Sequence, residues 1–129
     1  MPYRLKISEN DSFGKRKFKN ATGNTECVEF VRQAAGAPPT IAWKRGALIM
    51  GALPGTISRG TVIATFDDKG RYPIDGQGKH AAIYLSHDLI GIRVLDQWNK
   101  QEEVLERIIY FNKPSIPRSN SGKTFYVVE

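Results

Sequence analysis

Two side chains in this sequence have the chemistry of a nucleophile and its base: the single cysteine, Cys27, and the first histidine, His80. A thiol attacks as its thiolate, and a histidine can take that proton and later return it to a leaving group. Cys27 comes two or three residues after Asn24 or Thr25, either of which can cap a helix, and a helix N-terminus stabilises a thiolate. These features indicate nucleophilic catalysis. On position alone, the alternative is that Cys27 is a small buried hydrophobic residue.

A third side chain must orient the imidazole, and the strand predicted to follow that of His80 is the place to expect it. If this hairpin pairs Leu85 with Gly91, Asp96 lies opposite His80 on the same face of the sheet. If the hairpin instead pairs Leu85 with Ile90, Gln97 becomes the diagonal neighbour of His80 on the same face. We favour Asp96, because the apolar residues of its strand then line the core together, and we keep Gln97 as the alternative.

The second histidine, His87, is a weaker candidate for the base. It lies in the sequence Ser-His-Asp, which is typical of a hairpin turn, at the far end of the strand that His80 opens. One cysteine and two histidines make at best an incomplete metal site. We therefore expect neither a metal nor an organic cofactor.

Length and charge limit the possible classes of protein. A chain of 129 residues suits one domain, 1–129, with one core. The net charge is +6, and the N-terminal segment 1–21 is polar and basic, with six Lys or Arg against two Asp or Glu in its first 20 residues. Such a segment attracts anions, among them nucleic acid and the acidic polymers of a bacterial envelope.

The first half of the chain has helical signals. A short strand is predicted at 3–7, followed by a helix that ends at Gly36 and has its apolar residues at helical spacing, namely Cys27, Phe30, Val31 and Ala34. A shorter helix is predicted around 41–47 with Thr40 as its cap, and a loop at 51–60.

The second half of the chain changes to the period of strands. Strands rich in Val, Ile, Tyr and Phe are predicted at 61–66, 80–85, 90–97, 107–111 and 124–128. The first two are separated by a glycine-containing loop, 67–79, whose length is typical of functional lids. Helices followed by an antiparallel sheet predict the α+β class.

Several segments together resemble the CHAP and NlpC-type cysteine peptidases, a papain-like superfamily that cleaves amide bonds in bacterial peptidoglycan. They are Thr25–Val31 around the nucleophile, Gly60–Phe66 as the strand before the base, Lys79–Leu85 with the base, Val94–Asn99 at the end of the returning strand, and Trp43 between nucleophile and first strand. The resemblance implies a papain-like fold, in which N-terminal helices pack on a central antiparallel sheet. It also implies roles for Cys27 as nucleophile, His80 as base and Asp96 as the orienting residue, with Gln97 as the alternative.

The sequence departs from the family pattern at two positions. Relatives commonly have Gln before the nucleophile, whereas Glu26 stands here, and a negative neighbour opposes thiolate formation unless it points to solvent. Relatives often have Asn two residues after the orienting acid, whereas Trp98 stands here. The oxyanion donors are therefore unassigned beyond the backbone N–H of Cys27.

The function that the resemblance implies is that of an amidase or endopeptidase acting on peptidoglycan stem peptides or cross-links. No apolar run reaches the roughly 18 residues of a membrane span, and the start has no secretory signal. We therefore expect synthesis in the cytoplasm and action in the periplasm or cell wall, either as an effector exported by a dedicated machine or as a phage lysin. An effector would need a cognate immunity protein, and nucleic acid is not expected as a partner. The rival hypothesis is a non-catalytic basic module that binds nucleic acid or an envelope polyanion.

Overall fold

One antiparallel sheet organises the part of the chain that the computed structural model describes, residues 1–112 and 117–129. Within these ranges the sheet has six strands in the spatial order β1-β6-β2-β3-β4-β5, and each neighbouring pair is antiparallel. The α+β class predicted from the sequence is therefore confirmed. The strands are β1 Arg45–Leu48, β2 Val62–Thr65, β3 Ala81–His87, β4 Gly91–Asp96, β5 Leu105–Tyr110 and β6 Phe125–Val128.

The nine-residue helix α2, Cys27–Ala35, follows a single-turn helix, α1, Glu9–Ser12. The inward residues of α2, Phe30, Val31 and Ala34, are buried against one face of the sheet. A second apolar cluster, which includes Tyr84, covers the other face. Both faces of the sheet are therefore buried, which is why β2 and β3 are almost continuously apolar. Across the described ranges, no helix is long and apolar enough to cross a bilayer.

The predicted end of the long helix is confirmed. Gly36 has a left-handed backbone with φ of 70°, and its N–H is donated to the carbonyls of Arg32 and Val31. A residue with a side chain is strained in that conformation, whereas glycine is not. The sequence could predict this helix end because the cap depends on the backbone conformation of a single residue, Gly36.

Two of the predicted elements were wrong. The strand predicted at 3–7 is only an isolated bridge between Arg4 and Thr61. The helix predicted around 41–47 is a single 3₁₀ turn, Thr40–Ala42, and the chain then becomes β1, which pairs with β6 near the C-terminus. The reason is tertiary, because the partner that makes residues 45–48 a strand is about 80 residues away in the sequence.

The register of the β3–β4 hairpin differs from both registers that we considered. Ile83 pairs with Leu95, and a bulge after Tyr84 shifts the pairing by one residue toward the turn. When the Ile83–Leu95 register is extended by three residues, His80 comes level with residue 98 rather than with Asp96. Asp96 is then the diagonal neighbour of His80 and stays on the same face.

The basic N-terminal segment 1–21 is not a free arm. Phe18 is buried in the core, and the backbone N–H of Arg16 donates to the carbonyl of Glu102 at 2.7 Å. The guanidinium of Arg16 also donates to the carbonyl of Gly23 at 2.6 Å. Part of the positive charge of this segment is therefore held against neighbouring parts of the chain.

Candidate active site

Cys27 is the first residue of α2. The cap is Glu26 rather than the predicted Asn24 or Thr25, and the Glu26 side chain makes no capping hydrogen bond. The last residues before α2 are tied instead to the end of β4, because the Gln97 side-chain amide donates to the Glu26 carbonyl at 3.0 Å. At the first position of α2, the thiol lies beside the unpaired N–H groups of the helix, and these groups stabilise an anion.

His80 is held on both its backbone and its ring. Its backbone N–H donates to the Thr65 hydroxyl at 3.0 Å, and its carbonyl accepts from the Thr65 N–H at 3.0 Å. The ring, in a residue that is only 5% exposed, has Nε2 at 2.7 Å from Asp96 Oδ2. Because Nε2 is engaged with Asp96, Nδ1 is the ring nitrogen left to face Cys27.

Asp96 is fully buried and receives two donors on one oxygen. Besides His80, the Nε of Arg107 donates to Oδ2 at 2.7 Å, and the Gln101 amide donates to the Asp96 backbone carbonyl at 2.8 Å. Its other carboxylate oxygen, Oδ1, is buried and has no partner among residues 1–112 and 117–129. The carboxylate is thus fixed in place, with its accepting oxygen aimed at the imidazole.

The electrostatics of the site favour a thiolate and an imidazolium. Burial alone would raise the pKa of Cys27, but the hydrogen bond and the positive charge of His80, together with the Ala81 N–H and the Tyr72 hydroxyl, lower it below the ordinary thiol value. Burial would lower the pKa of His80, but Asp96 and Cys27 outweigh it and raise that pKa to about 9. Both shifts favour the ion pair, in which His80 holds the proton, over the neutral thiol and imidazole.

Tyr72 also contacts the thiol and was not predicted from the sequence. Its hydroxyl lies 3.7 Å from Cys27 Sγ, and its ring packs edge-on against Trp43 with the ring centres 5.0 Å apart. Burial and the neighbouring Cys27 anion raise the pKa of the phenol, so Tyr72 keeps its proton and donates it toward the sulfur. Its sequence surroundings, a polar loop without periodicity, gave no signal for this role.

A cleft of about 410 Å³ opens over these side chains. Cys27, His80 and Tyr72 line it, and the loop predicted at 67–79 supplies part of its wall through Tyr72, Ile74 and Lys79. Glu26, at the edge of the cleft, is exposed to solvent. The solvent exposure of Glu26 screens its charge, which lessens the conflict between an acidic residue and a neighbouring thiolate.

Two of the sequence candidates lie outside this arrangement. Gln97 is buried and uses its amide N–H groups on the carbonyls of Phe18 and Glu26, so it fixes backbone and does not orient the imidazole. His87 bonds to the Tyr84 hydroxyl at 2.6 Å and to the Ala52 carbonyl at 2.8 Å, at the other end of β3. Among the described residues, no group of three His, Cys, Asp or Glu side chains is positioned to hold a metal ion.

Arg107 is the second residue of the site that sequence analysis missed. It lies on β5 opposite Val94, and this register puts it diagonal to Asp96 on the same face. A basic residue among the apolar residues of β5 was the available signal, but it became informative only once the pairing of β4 with β5 was known.

Comparisons with known proteins agree with this architecture. The family described as "Domesticated amidase effector 2" matches residues 5–128. A "Type VI secretion amidase effector 2 protein" of Salmonella typhi is 34% identical over 116 residues, covering 81% of this chain and 84% of that protein. The "Domesticated amidase effector 2" of Ixodes scapularis is 35% identical over 109 residues, covering 81% and 70% respectively.

A solved structure is also similar. The structure titled "Type 6 secretion amidase effector 2 (Tae2)" superposes with a TM-score of 0.77 and 30% identity, covering 95% of this chain and 92% of that one. This similarity confirms the predicted papain-like α+β class. The CHAP and NlpC resemblance is a coarser match than the amidase effector family.

Proposed function

The chain belongs to the domesticated amidase effector 2 family, and on this premise we propose that it hydrolyses amide bonds of peptidoglycan peptides with Cys27 as nucleophile. The observation that carries the proposal is the arrangement of a partly buried Cys27 with the buried His80 and Asp96 beneath an open cleft, with a lowered thiol pKa and a raised imidazole pKa. A non-catalytic basic module that binds a polyanion does not require this arrangement.

The first chemical step forms a thioester. The thiolate of Cys27 attacks the amide carbonyl carbon, and the resulting oxyanion is stabilised by the Cys27 backbone N–H and the Tyr72 hydroxyl. The imidazolium of His80 then gives its proton to the amide nitrogen, the C–N bond breaks and the amine leaves. What remains is an acyl group on Cys27 and a neutral His80.

The second step returns the enzyme to its starting state. Neutral His80 takes a proton from a water molecule, the hydroxide attacks the thioester, and the carboxylic acid leaves as Cys27 recovers its thiolate and His80 its positive charge. Asp96 fixes the imidazole throughout and stabilises the imidazolium, since its Oδ2 accepts from Nε2 at 2.7 Å.

Purified peptidoglycan tests this function directly. We expect the protein to release equal amounts of new amino and new carboxyl groups, without new reducing sugar ends. Because Cys27 is the single cysteine, alkylation with iodoacetamide blocks one known atom and should abolish the release. Full activity of the alkylated protein, or products with new reducing ends only, would contradict the proposal.

The name of the Salmonella relative supports a proposal about the place of action. That protein is described as a type VI secretion effector, and we infer that this chain too is delivered by a secretion machine and acts on peptidoglycan in the periplasm. A cell that makes such an enzyme needs an immunity protein, and the cleft over Cys27 is the surface that such a partner would have to cover.

Replacing Asp96 with asparagine tests its role as the orienting charge. The Asn oxygen can still accept from His80 and Arg107 at the position of Oδ2, so the main change is loss of the negative charge. We expect kcat/KM to fall about 100-fold, because the imidazolium loses its counter-charge. Asp96 and Cys27 together raise the pKa of His80 to about 9, so loss of the Asp96 charge should move the alkaline limit of activity from near pH 9 to lower pH.

The control for this prediction is Asp68→Asn, which removes the same charge from an exposed position in the 67–79 loop. It should leave both kcat/KM and the alkaline limit unchanged. An Asp96→Asn enzyme whose alkaline limit stayed near pH 9 would show that Asp96 does not set the pKa of His80.

A further inference from the structure

A second cavity adjoins the cleft on the other side of His80. It has a volume of about 340 Å³ and is lined by Lys79, His80, Trp98, Arg107, Ser119 and Asn120. Lys79, His80 and Trp98 also line the cleft over the thiol, whereas Cys27 and Glu26 line only that cleft. We call this second space the cationic cavity, because its lining includes two basic side chains and no acidic one.

Both basic side chains of the cationic cavity have donors to spare. Lys79 makes no hydrogen bond and no ion pair with any residue in 1–112 or 117–129. Arg107 uses Nε on Asp96, makes one long contact of 3.5 Å from Nη1 to Asn120, and stacks its guanidinium 5.1 Å from the Trp98 ring centre. Its Nη2 has no partner in the same described ranges, so an anion in the cavity would find donors that no protein group occupies.

The wall of the cavity is fixed by the fold. Arg118 donates from its side chain to Asp75 at 2.9 Å and to the Gly78 carbonyl at 3.0 Å. Gly78 has φ of 102° and lies so close to the next turn that an added Cβ would be 2.9 Å from the Ser119 nitrogen. The residues just before Lys79 are thus held tightly against the 118–120 turn, which fixes the backbone from which the Lys79 side chain extends.

The position of the cavity determines which part of a substrate it can receive. In the proposed mechanism His80 gives its proton to the departing amide nitrogen, so the amine half of the substrate must lie on the His80 side of the scissile bond. The cationic cavity lies beyond His80, on the side of Arg107. Lys79 and Trp98 line both spaces, so a group on the amine half can enter the cavity by extending past His80.

Resting on the proposed amidase function, we propose that the cationic cavity binds a carboxylate carried by the residue whose amino group hydrolysis releases. Lys79 and the free guanidinium edge of Arg107 would be its partners. Charge-assisted hydrogen bonds to a carboxylate are among the stronger polar contacts, and two of them at a fixed wall select an acid over its neutral amide. Lys79 is thus a specificity-determining residue, distinct from Arg107, which also holds Asp96.

The test compares two synthetic peptides that differ at one group. One has a free carboxylate on the residue after the scissile amide, and the other has a carboxamide there. Their binding to the Cys27→Ala protein is measured by calorimetry, which prevents turnover. We expect the acid to bind about 10-fold more tightly than the amide, a preference that weakens at high salt.

Variants of Lys79 then test whether this lysine causes the preference for the acid. Lys79→Met should reduce it to about 3-fold or less, and Lys79→Arg should retain it, because only the positive charge is needed. The matched control is Lys69→Met, an exposed lysine of the same loop that lines neither space, and it should leave the preference at the wild-type value.

The outcomes separate this inference from the proposed function. Equal binding of acid and amide, an unchanged preference in Lys79→Met, or no measurable binding of either peptide would overturn the carboxylate subsite, even if the native enzyme hydrolyses peptidoglycan. A preference that depends on Lys79, in a protein that hydrolyses no amide, would support the subsite and refute the amidase function.

Discussion

Replacing Cys27 with alanine is expected to lower kcat/KM for peptidoglycan peptides by about four orders of magnitude or more, since the covalent step is lost. Cys27→Ser should be nearly as inactive, although it keeps the shape of the side chain. A hydroxyl has a far higher pKa than a thiol, so the ion pair with His80 that the structure stabilises cannot form on serine.

The loss should be one of chemistry rather than of folding. The side chain of Cys27 is only partly buried, at the first position of α2, and its polar contacts are confined to the site, with the Tyr72 hydroxyl at 3.7 Å, the His80 ring and the Ala81 N–H. Its removal is therefore expected to cost no more than about 1 kcal/mol in the free energy of unfolding. Thermal melting followed by circular dichroism measures this, with Arg32→Ala on the exposed face of the same helix as an active control.

The same variant tests the place of action. When a signal peptide directs the wild-type chain to the periplasm of a Gram-negative host, we expect lysis, and the cytoplasmic form should be harmless. Cys27→Ala should be harmless in both compartments at equal expression. Retention of more than a tenth of the hydrolytic activity, or equal toxicity of the alanine variant in the periplasm, would refute the role of Cys27.

Local chemistry explains what could be predicted of the fold. The helix that carries Cys27 was predicted because its apolar residues repeat at helical spacing and Gly36 ends it, and both signals lie within the segment itself. The strand β1, Arg45–Leu48, could not be predicted, because only its pairing with β6 makes it a strand. The start of the long helix was misplaced for a related reason, since the Glu26 backbone is held by Gln97, which lies 71 residues away in the sequence.

Asp96 lies beside His80 although the register predicted for the β3–β4 hairpin was wrong. The observed pairing brings residue 98 level with His80, two residues beyond the register that put Asp96 there. A shift of two residues keeps each side chain on its face, whereas a shift of one exchanges the faces. Asp96 therefore still reaches the imidazole, as a diagonal neighbour, while Gln97 points to the other face and donates to the Glu26 carbonyl just before α2.

Tyr72 and Arg107 show where sequence analysis fails for a site of this kind. Tyr72 comes from a loop, and nothing in its neighbours indicates that its hydroxyl lies 3.7 Å from the thiol. Arg107 reaches Asp96 only through the β4–β5 register. Both depend on contacts between distant segments, whereas Cys27 and His80 could be proposed as nucleophile and base from their residue types alone.

Replacing His80 with glutamine is expected to lower kcat/KM by about four orders of magnitude, and also to remove the reactivity of the thiol toward iodoacetamide at neutral pH. Glutamine can donate to Asp96 but can neither accept nor return a proton. Without the imidazolium, burial becomes the main influence on Cys27, so its pKa should rise instead of being lowered.

The wild type and His80→Gln should differ in how alkylation, activity and stability depend on pH. In the wild type the thiolate forms below the ordinary thiol pKa, so alkylation should stay rapid well on the acid side of pH 9, and activity should fall above about pH 9 as His80 loses its proton. The raised pKa also stabilises the fold below the unfolded histidine value of about 6.5, and that contribution is lost as pH rises through 9. In His80→Gln, alkylation should become rapid only in alkaline solution, and this pH-dependent term should be absent from the melting curves.

The second histidine provides a matched control, because His87→Gln makes the same chemical change at the other end of β3. His87 bonds to the Tyr84 hydroxyl and the Ala52 carbonyl, so its loss should lower the melting temperature. Below that temperature we expect normal hydrolysis and normal alkylation, since neither bond reaches Cys27. If His87→Gln lost activity while His80→Gln kept it, the base would have been assigned to the wrong histidine. If both variants kept rapid alkylation at neutral pH, the thiolate would owe its stability to the start of α2 and Tyr72 rather than to an imidazolium.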